Sequence, residues 1–246
     1  MCPYMKRYEE RTYRRSAFRA DLLAYEVRVK ETDLHIQSDK ELEREARELV
    51  YEVREQIESY IDRNPLFLHT LVPVEEDLYA PVVVREMISA GKRVGVGPMA
   101  AVAGAVAEYV GLSLLSRCHE VIVENGGDIF AKTNQPLSVG IFAGRSPLSN
   151  KLALQIEPQE MPLGICSSSG TVGPSYSEGV ADLACVLCKS AALADAAATA
   201  LGNRVKTTVD VNEALEWIQT IQEVSGAVVV LAENIGVWGN VRLKQV

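Results

Sequence analysis

The sequence predicts an α+β protein in which antiparallel sheets are covered on one face by helices. Three observations support this class. Residues 26–30 alternate polar and apolar side chains, which is the pattern of a half-exposed antiparallel strand. Residues 42–60 carry apolar side chains at helical spacing, which indicates a long amphipathic helix lying on a sheet. Two Val-rich strands, at 121–124 and 227–231, each precede a Glu-Asn step and a short apolar strand, which indicates two related β-β-α-α-β-β halves.

The first half, about residues 10–133, begins with strands expected at 11–20 and 23–37. Ser38 and Glu41 form the pattern of a capping box, so the long helix is expected to begin at Ser38. Asn64-Pro65 ends it, because the residue before a proline disfavours helical backbone. The remaining elements expected here are a helix near 81–90 that ends at Gly91, a helix from Pro98 to about 117, and strands at 120–124 and 129–132.

The second half, about residues 134–246, is expected to repeat this order, and the two halves meet near residues 133–136. Its expected elements are strands near 137–143, 151–157 and 179–188, helices near 190–202 and 211–224, and a closing hairpin over 226–245. A hydrophobic content of 48% and a charged content of 24% are typical of an ordinary globular protein. We therefore expect residues 1–246 to form one domain built of two pseudo-repeats.

Charge and cysteine content restrict the function. A net charge of −8 argues against a general nucleic-acid surface. No run of 18 apolar residues indicates a membrane span, and Met1–Arg7 has no apolar segment typical of a signal peptide. Five scattered cysteines suit a reducing cytoplasm, where we expect the protein to be located. Cys185 and Cys188 lie three apart on an expected strand, so they point to opposite faces and are unlikely partners for one metal.

Asp195 and Thr199 are the most informative pair of side chains. They lie four residues apart in a segment that is otherwise nearly all alanine, so they share one face of a helix. Carboxylate and hydroxyl oxygens are the ligands that Mg²⁺ prefers, and alanine leaves room for a ligand to approach. The structural alternative is that Asp195 begins the helix and Thr199 bonds back to a carbonyl.

Three glycine- and serine-rich segments are candidate binding sites. Gly126 and Gly127, between Asn125 and Asp128, allow close approach to the backbone, although taken alone they favour a tight hairpin turn. The segment 164–174 offers many donors for phosphate, or it is a flexible loop. Gly97-Pro98-Met99 lies at a helix start, which is a ready anion site, but the rest of a dinucleotide fingerprint is missing.

In chain order, these motifs resemble those of the ApbE-like flavin transferase superfamily. Asn125–Ile129 resembles its NxGGDI stretch, Cys166–Gly170 its Thr-Ser-Gly step, and Val180–Gly202 its strand followed by an ADAxxTAL helix. The likeness covers roughly residues 95–203. Residues 29–34 further suggest a shorter ApbE-related branch rather than the transferases themselves.

The resemblance implies T-fold-like units with a flavin site between them. Members of the superfamily bind FAD and Mg²⁺ and move FMN onto a Thr or Ser of an acceptor protein. By similarity, Asp195 and Thr199 correspond to the Asp and Thr that ligate Mg²⁺. If the protein is an enzyme, Asp128 and Glu178 are the candidates for a general base. The expected binding residues for FAD or FMN are Gly97, Pro98, Met99, Asn125, Gly126, Gly127, Ser167, Ser168, Ser169, Gly170 and Thr171.

One departure keeps two functions open. The His-x-x-Asp-Pro-x-Thr-Gly segment of the superfamily is not readable here, and residues 173–179 stand in its place. The chain is therefore either a Mg²⁺-dependent enzyme of FMN transfer or pyrophosphate cleavage, or a non-enzymatic flavin-binding or protein-interaction module that has lost transfer. The expected partners are a flavin nucleotide and an acceptor protein, without nucleic acid or membrane. The oligomeric state stays open, with a homodimer as one alternative.

Overall fold

The computed structural model describes residues 19–170 and 179–246. The helices are α1 Glu43–Arg63, α2 Leu66–His69, α3 Val82–Val94, α4 Val102–Leu114, α5 Ala191–Arg204 and α6 Asp210–Ile218, with short 3-10 helices at Pro98–Ala101 and Pro158–Glu160. The strands are β1 Leu23–Val29, β2 Thr32–Ser38, β3 Val121–Asn125, β4 Asp128–Lys132, β5 Leu137–Gly140, β6 Leu152–Ile156, β7 Leu163–Ser168, β8 Leu183–Cys188, β9 Val224–Leu231, β10 Asn234–Gly239 and β11 Leu243–Gln245.

A large antiparallel sheet organises the fold. Its eight strands run in the order β1-β2-β3-β4-β7-β8-β9-β10, and every neighbouring pair is antiparallel. Helices α1 to α4 lie in sequence between β2 and β3, and α5 and α6 lie between β8 and β9. The predicted α+β class with antiparallel sheets is confirmed, whereas T-fold-like pseudo-repeats stay a prediction. The strands β5 and β6, expected within the second half, form a separate three-stranded sheet with β11, in which β6 pairs with both β5 and β11.

The two faces of the large sheet are covered by different layers. Alternate residues of each strand point to opposite faces, so Phe130 packs in the core beneath the helices while Ile129 packs in the second core. That second core is completed by Leu137, Leu154 and Ile156 of the small sheet. Helices therefore cover one face, as predicted, and the small sheet covers the other. Cys185 and Cys188 fall in different cores, as their spacing predicted.

The predicted helix start at Ser38 is wrong. Ser38 is the last residue of β2, lies opposite Val121, and donates its hydroxyl hydrogen bond to the carbonyl of Lys40. Helix α1 begins only at Glu43. The capping-box pattern is overruled because pairing with β3 holds Ser38 in extended backbone.

Two other boundaries differ from expectation. The strand expected over 23–37 is a hairpin, because Lys30 turns the chain with a φ of 50° between β1 and β2. The serine-rich segment 164–174, for which a flexible loop was one alternative, begins as a strand, since Gly164 to Ser168 lie in β7 and pair with β8. The strand expected at 11–20 lies, except for its last two residues, outside the described residues.

The described helices are too short or too polar to cross a bilayer singly. Among residues 19–170 and 179–246, no single helix is long and apolar enough to span a membrane. Helix α3 and the segment Pro98–Leu114 meet that test only together, as a pair bent by 107°.

Candidate functional site

The candidate site lies where four elements meet on the helix-covered face of the large sheet. These are the N-terminal turns of α4 and α5, the hairpin turn between β3 and β4, and the end of β7. Hydrogen bonds link them: Asn125 Nδ2 donates to the Ala103 carbonyl at 3.1 Å, and the Ser167 N–H donates to Asp128 Oδ1 at 3.1 Å. The predicted segments around residues 125–128, 167 and 195 therefore converge.

Asp195 lies in the second turn of α5, not at its start. Helix α5 begins at Ala191, and its N-cap is Ser190, whose hydroxyl accepts a hydrogen bond from the Leu193 N–H. The alternative that Asp195 begins the helix is therefore wrong. Instead, Asp195 Oδ2 accepts a hydrogen bond from the Gly104 N–H of α4 at 2.9 Å.

Gly104 allows α4 and α5 to approach this closely. A Cβ atom at this position would lie 2.2 Å from the Ala191 carbonyl oxygen and 2.8 Å from Asp195 Cβ. Any side chain would therefore push the two helices apart and break the contact with the Asp195 carboxylate. Among the several alanines and glycines of α4, no sequence signal singles out Gly104.

The Gly126-Gly127 turn is a tight two-residue hairpin, as the structural alternative predicted. Their φ angles are 70° and 110°, in the left-handed region that favours glycine, and Asn125 lies opposite Asp128. The Gly127 N–H donates to Glu124 Oε1 at 2.8 Å. Nothing would contact a Cβ at Gly126 within 4 Å, so the tip of the turn leaves space for a ligand.

Three carboxyl groups are buried around this point. Glu124, Asp128 and Asp195 are 4%, 7% and 9% exposed. Burial raises the pKa of Asp195 to about 7. Burial and the charge of Asp195 together raise the pKa of Asp128 well above its usual range. The two aspartates are therefore close enough to repel each other, and a cation between them would relieve that repulsion.

The oxygen atoms of Asp195 and Thr199 suit a metal ion that also binds a phosphate ligand. Asp195 and Thr199 lie one turn apart on α5 and present a carboxylate and a hydroxyl. Across the described ranges, no group of three or more His, Cys, Asp or Glu side chains could hold a metal. Mg²⁺ commonly binds through one or two carboxylates, with waters and phosphate oxygens completing its shell. The residues present therefore fit Mg²⁺ with a bound phosphate, and they do not form an all-protein cage.

Gly97-Pro98-Met99 forms a turn that packs against α5. The Gly97 N–H donates to the Leu71 carbonyl at 2.9 Å, and a Cβ there would lie 1.9 Å from the Thr70 carbonyl oxygen. Pro98 is buried and Met99 is partly exposed. The Gly97 N–H is thus already used within the protein, and close packing explains this glycine without an anion.

The predicted serines do not share one surface. Ser167 and Ser168 are neighbours on β7, so their side chains point to opposite faces. Ser168 shares the helix-covered face with Cys166, while the Ser167 hydroxyl lies 3.4 Å from the Gly127 carbonyl oxygen. Ser169 and Gly170 follow the strand, and the Gly170 N–H donates to the Ala181 carbonyl at 2.9 Å. Thr171 and Glu178 lie outside the described residues.

Glu108 is a residue that the sequence analysis missed. Its Oε2 accepts hydrogen bonds from the Ser190 hydroxyl at 3.0 Å and from the Ala192 N–H at 3.1 Å. Burial raises the pKa of its carboxyl. One signal could have revealed it, because Glu108 is the only charged residue in the sequence of α4.

Comparison with known proteins places the chain in a family. The model of the family described as "AbpE bacteria" matches residues 15–237. The chain belongs to this family. Two relatives of this chain are UPF0280 proteins. That of Methanocella arvoryzae is 40% identical over 91% of each chain, and that of Methanosarcina acetivorans is 44% identical over 80% of this chain and 78% of its own. The resemblance to an ApbE-related branch is thereby confirmed.

Solved structures share the fold of this AbpE family member at low identity. The flavin transferase ApbE from Vibrio cholerae has a TM-score of 0.61 and 15% identity, covering 89% of this chain and 96% of its own. The apo flavinyl transferase ApbE from Pseudomonas stutzeri has a TM-score of 0.60 and 14% identity, covering 89% and 94%. These likenesses show a common architecture.

Proposed function

We propose that this protein binds FAD together with Mg²⁺ and transfers FMN to a hydroxyl group of an acceptor protein. The observation that supports this most directly is the position of Asp195. Its buried carboxyl accepts a hydrogen bond from the Gly104 N–H of α4 and lies one helical turn from Thr199. The neighbouring Ala103 carbonyl accepts from Asn125, at the start of the glycine turn that leaves space for a ligand. The motifs at 125–129, 166–170 and 180–202 resemble, in the same order, those of flavin transferases, whose fold the chain shares.

In this proposal the residues divide into metal ligands and phosphate contacts. Asp195 and Thr199 hold Mg²⁺, which when bound neutralises charge that develops on the phosphates. Asn125, Gly126 and Gly127 line the approach to the pyrophosphate. Ser168 is the serine of β7 that faces the same side as Asp195.

Asp128 is the described candidate for the general base. Its raised pKa brings it towards the range in which a carboxylate accepts a proton effectively near neutral pH. The acceptor hydroxyl would give its proton to Asp128 while its oxygen bonds to the phosphorus of FMN. The bond from that phosphorus to the AMP oxygen breaks, and AMP leaves. Glu178 is the other candidate.

A second function is binding of flavin without transfer. Its support is the segment 173–179, which replaces the His-x-x-Asp-Pro-x-Thr-Gly segment of the superfamily. Under this proposal Asp195 and Thr199 still hold Mg²⁺ and the pyrophosphate, but nothing is cleaved. The physiological partner would then be the flavin nucleotide alone.

Incubation of the purified protein with FAD and Mg²⁺ separates the two functions. Release of AMP, measured by chromatography, supports cleavage, and a mass increase of an acceptor peptide by one FMN supports transfer. Saturable FAD binding without release of AMP supports the second function, binding without transfer. Absence of binding by FAD, FMN and other nucleotides would contradict both, and native mass spectrometry of the purified protein would show any co-purified nucleotide.

A further inference from the structure

Helices α4 and α5 are linked by two reciprocal hydrogen bonds. A carboxyl group of each helix accepts from a backbone N–H near the N-terminus of the other. Asp195 of α5 accepts a hydrogen bond from the N–H of Gly104, the third residue of α4. Glu108 of α4 accepts one from the N–H of Ala192, the second residue of α5. The first N–H groups of a helix have no partner within it, so each helix supplies the acceptor that the other needs.

The two contacts fix how α5 lies along α4. Gly104 and Glu108 are one turn apart on the same face of α4, and their partners Asp195 and Ala192 lie on one face of α5. The missing side chain at Gly104 brings the backbones together at the Asp195 contact. Two points of attachment define both the distance between the helices and their relative register.

Glu108 is more than a second cap for α5. Ser190 already caps the helix by accepting from the Leu193 N–H, and its own hydroxyl donates to Glu108. Burying a carboxyl group costs free energy, and a solvated N-cap would satisfy α5 without that cost. The buried contact is the one that ties α5 to α4.

We propose that Glu108 is a positioning residue for the metal site, which holds α5 so that Asp195 stays against Gly104. One oxygen of Asp195 is then fixed by the Gly104 N–H while the other serves the cation. This inference rests on the proposed Mg²⁺ site. Glu108 touches neither the nucleotide nor the metal, and it acts through the backbone of Ser190 to Ala192.

Affinity for Mn²⁺, a spectroscopic substitute for Mg²⁺, tests the proposal in the presence of FAD by electron paramagnetic resonance. We expect Glu108→Ala to weaken Mn²⁺ binding about 10-fold, the size of effect that groups orienting a metal ligand produce. Glu108→Gln should restore most of the affinity, because its amide oxygen accepts the same two hydrogen bonds. Val110→Ala is the control, since it removes two buried methyl groups from the same helix and leaves the Glu108 carboxyl group in place.

Two outcomes would overturn the proposal. One is an affinity of Glu108→Ala within twofold of wild type. The other is an equal loss in Val110→Ala and Glu108→Ala at matched melting temperatures, which would mean that Glu108 acts only through stability.

Amide hydrogen exchange of the metal-free protein separates this inference from the proposed function. Exchange of the Gly104 N–H should accelerate in Glu108→Ala and stay near wild type in Val110→Ala, because only the former releases Asp195. A wild-type protein that binds no Mn²⁺ would contradict the metal site. An unchanged Gly104 exchange rate in Glu108→Ala would contradict the positioning role whether or not metal binds.

Discussion

The two faces of the large sheet are built from different chemistry. Beneath the small sheet, the core consists of aliphatic side chains such as Leu137, Leu154 and Ile156. Beneath α4 and α5, the contact is made by glycine, alanine and buried carboxyl groups. The first arrangement maximises buried apolar area, and the second brings backbones close around charges that are costly to bury. Because a large apolar core also lies under the helices, the comparison teaches that the proposed ligand site occupies one close helix contact within a fold that apolar packing stabilises on both faces of the sheet.

The largest expected effect is on the free energy of unfolding, for a substitution in the core beneath the small sheet. Ile156→Ala should lower the free energy of unfolding by about 2–5 kcal/mol, because it leaves a cavity between the sheets. Urea denaturation measures this loss. The affinity of the folded protein for Mg²⁺ and FAD should not change, and a parallel loss of affinity would break the division between the two faces.

Asp195→Ala should have the converse effect. We expect Mg²⁺-dependent FAD affinity, measured by isothermal titration calorimetry, to fall about 100-fold, the upper end of the losses known for groups around a metal. Stability should change little, since the variant loses one hydrogen bond from Gly104 but no longer buries a carboxyl group. Equal FAD affinity with and without Mg²⁺ in the wild type would refute the ligand role.

Protonation of Asp195 should weaken metal binding at low pH. Because its pKa is raised to about 7, Mg²⁺ affinity should fall about tenfold between pH 8 and pH 6 as protons compete for the carboxylate. The same titration calorimetry over pH measures this. A flat profile would place the metal elsewhere.

The stability of the metal-free protein provides the matching control. Protonation of Asp195 should raise this stability, whereas it should weaken metal binding. The folded state holds the Asp195 proton more tightly than the unfolded chain does, because the pKa of this carboxyl group is the ordinary 3.8 when the chain is unfolded. This contribution to stability is therefore full below pH 3.8 and is lost as pH rises to about 7. Asp195→Asn should remove that part of the pH dependence from thermal melts in chelator.

The smallest expected effect concerns the hairpin turn. Gly126→Ala should lower the free energy of unfolding by about 1–2 kcal/mol, because its φ of 70° is unfavourable for a side chain. No atom would clash with the new methyl group. If the free energy of FAD binding falls by much more than the free energy of unfolding, the turn contacts the ligand directly. That result would locate the ligand site at this turn on the helix-covered side.

The parts of this arrangement that sequence could predict are those with local signals. The alternation of β1, the long helix α1 and the Asp195/Thr199 pair all follow from periodicity over a few residues. The capping box at Ser38 failed because pairing with Val121, far along the chain, holds that residue in a strand. Sequence gave no partner for Glu108, since its contacts lie more than 80 residues away.

The small sheet was missed for the same reason. Strands β5 and β6 form a local pair, but the third strand β11 comes from residues 243–245. Its pairing with β6 depends on the path of the chain through the whole large sheet. Nothing in the pattern of residues 137–156 distinguishes a separate layer from a continuation of the main one.

The alternation of β4 limits how this protein can change over evolution. Asp128 and Phe130 face the helix-covered side, where Phe130 packs against Gly111 of α4, whereas Ile129 and Ala131 face the small sheet. Deleting one residue ahead of this strand would exchange the two sets. The carboxyl group would then point into the aliphatic layer, and an isoleucine would point towards the proposed metal site. Homologous chains should therefore gain or lose residues here in pairs, and single-residue indels should be confined to loops that do not set the register of β4.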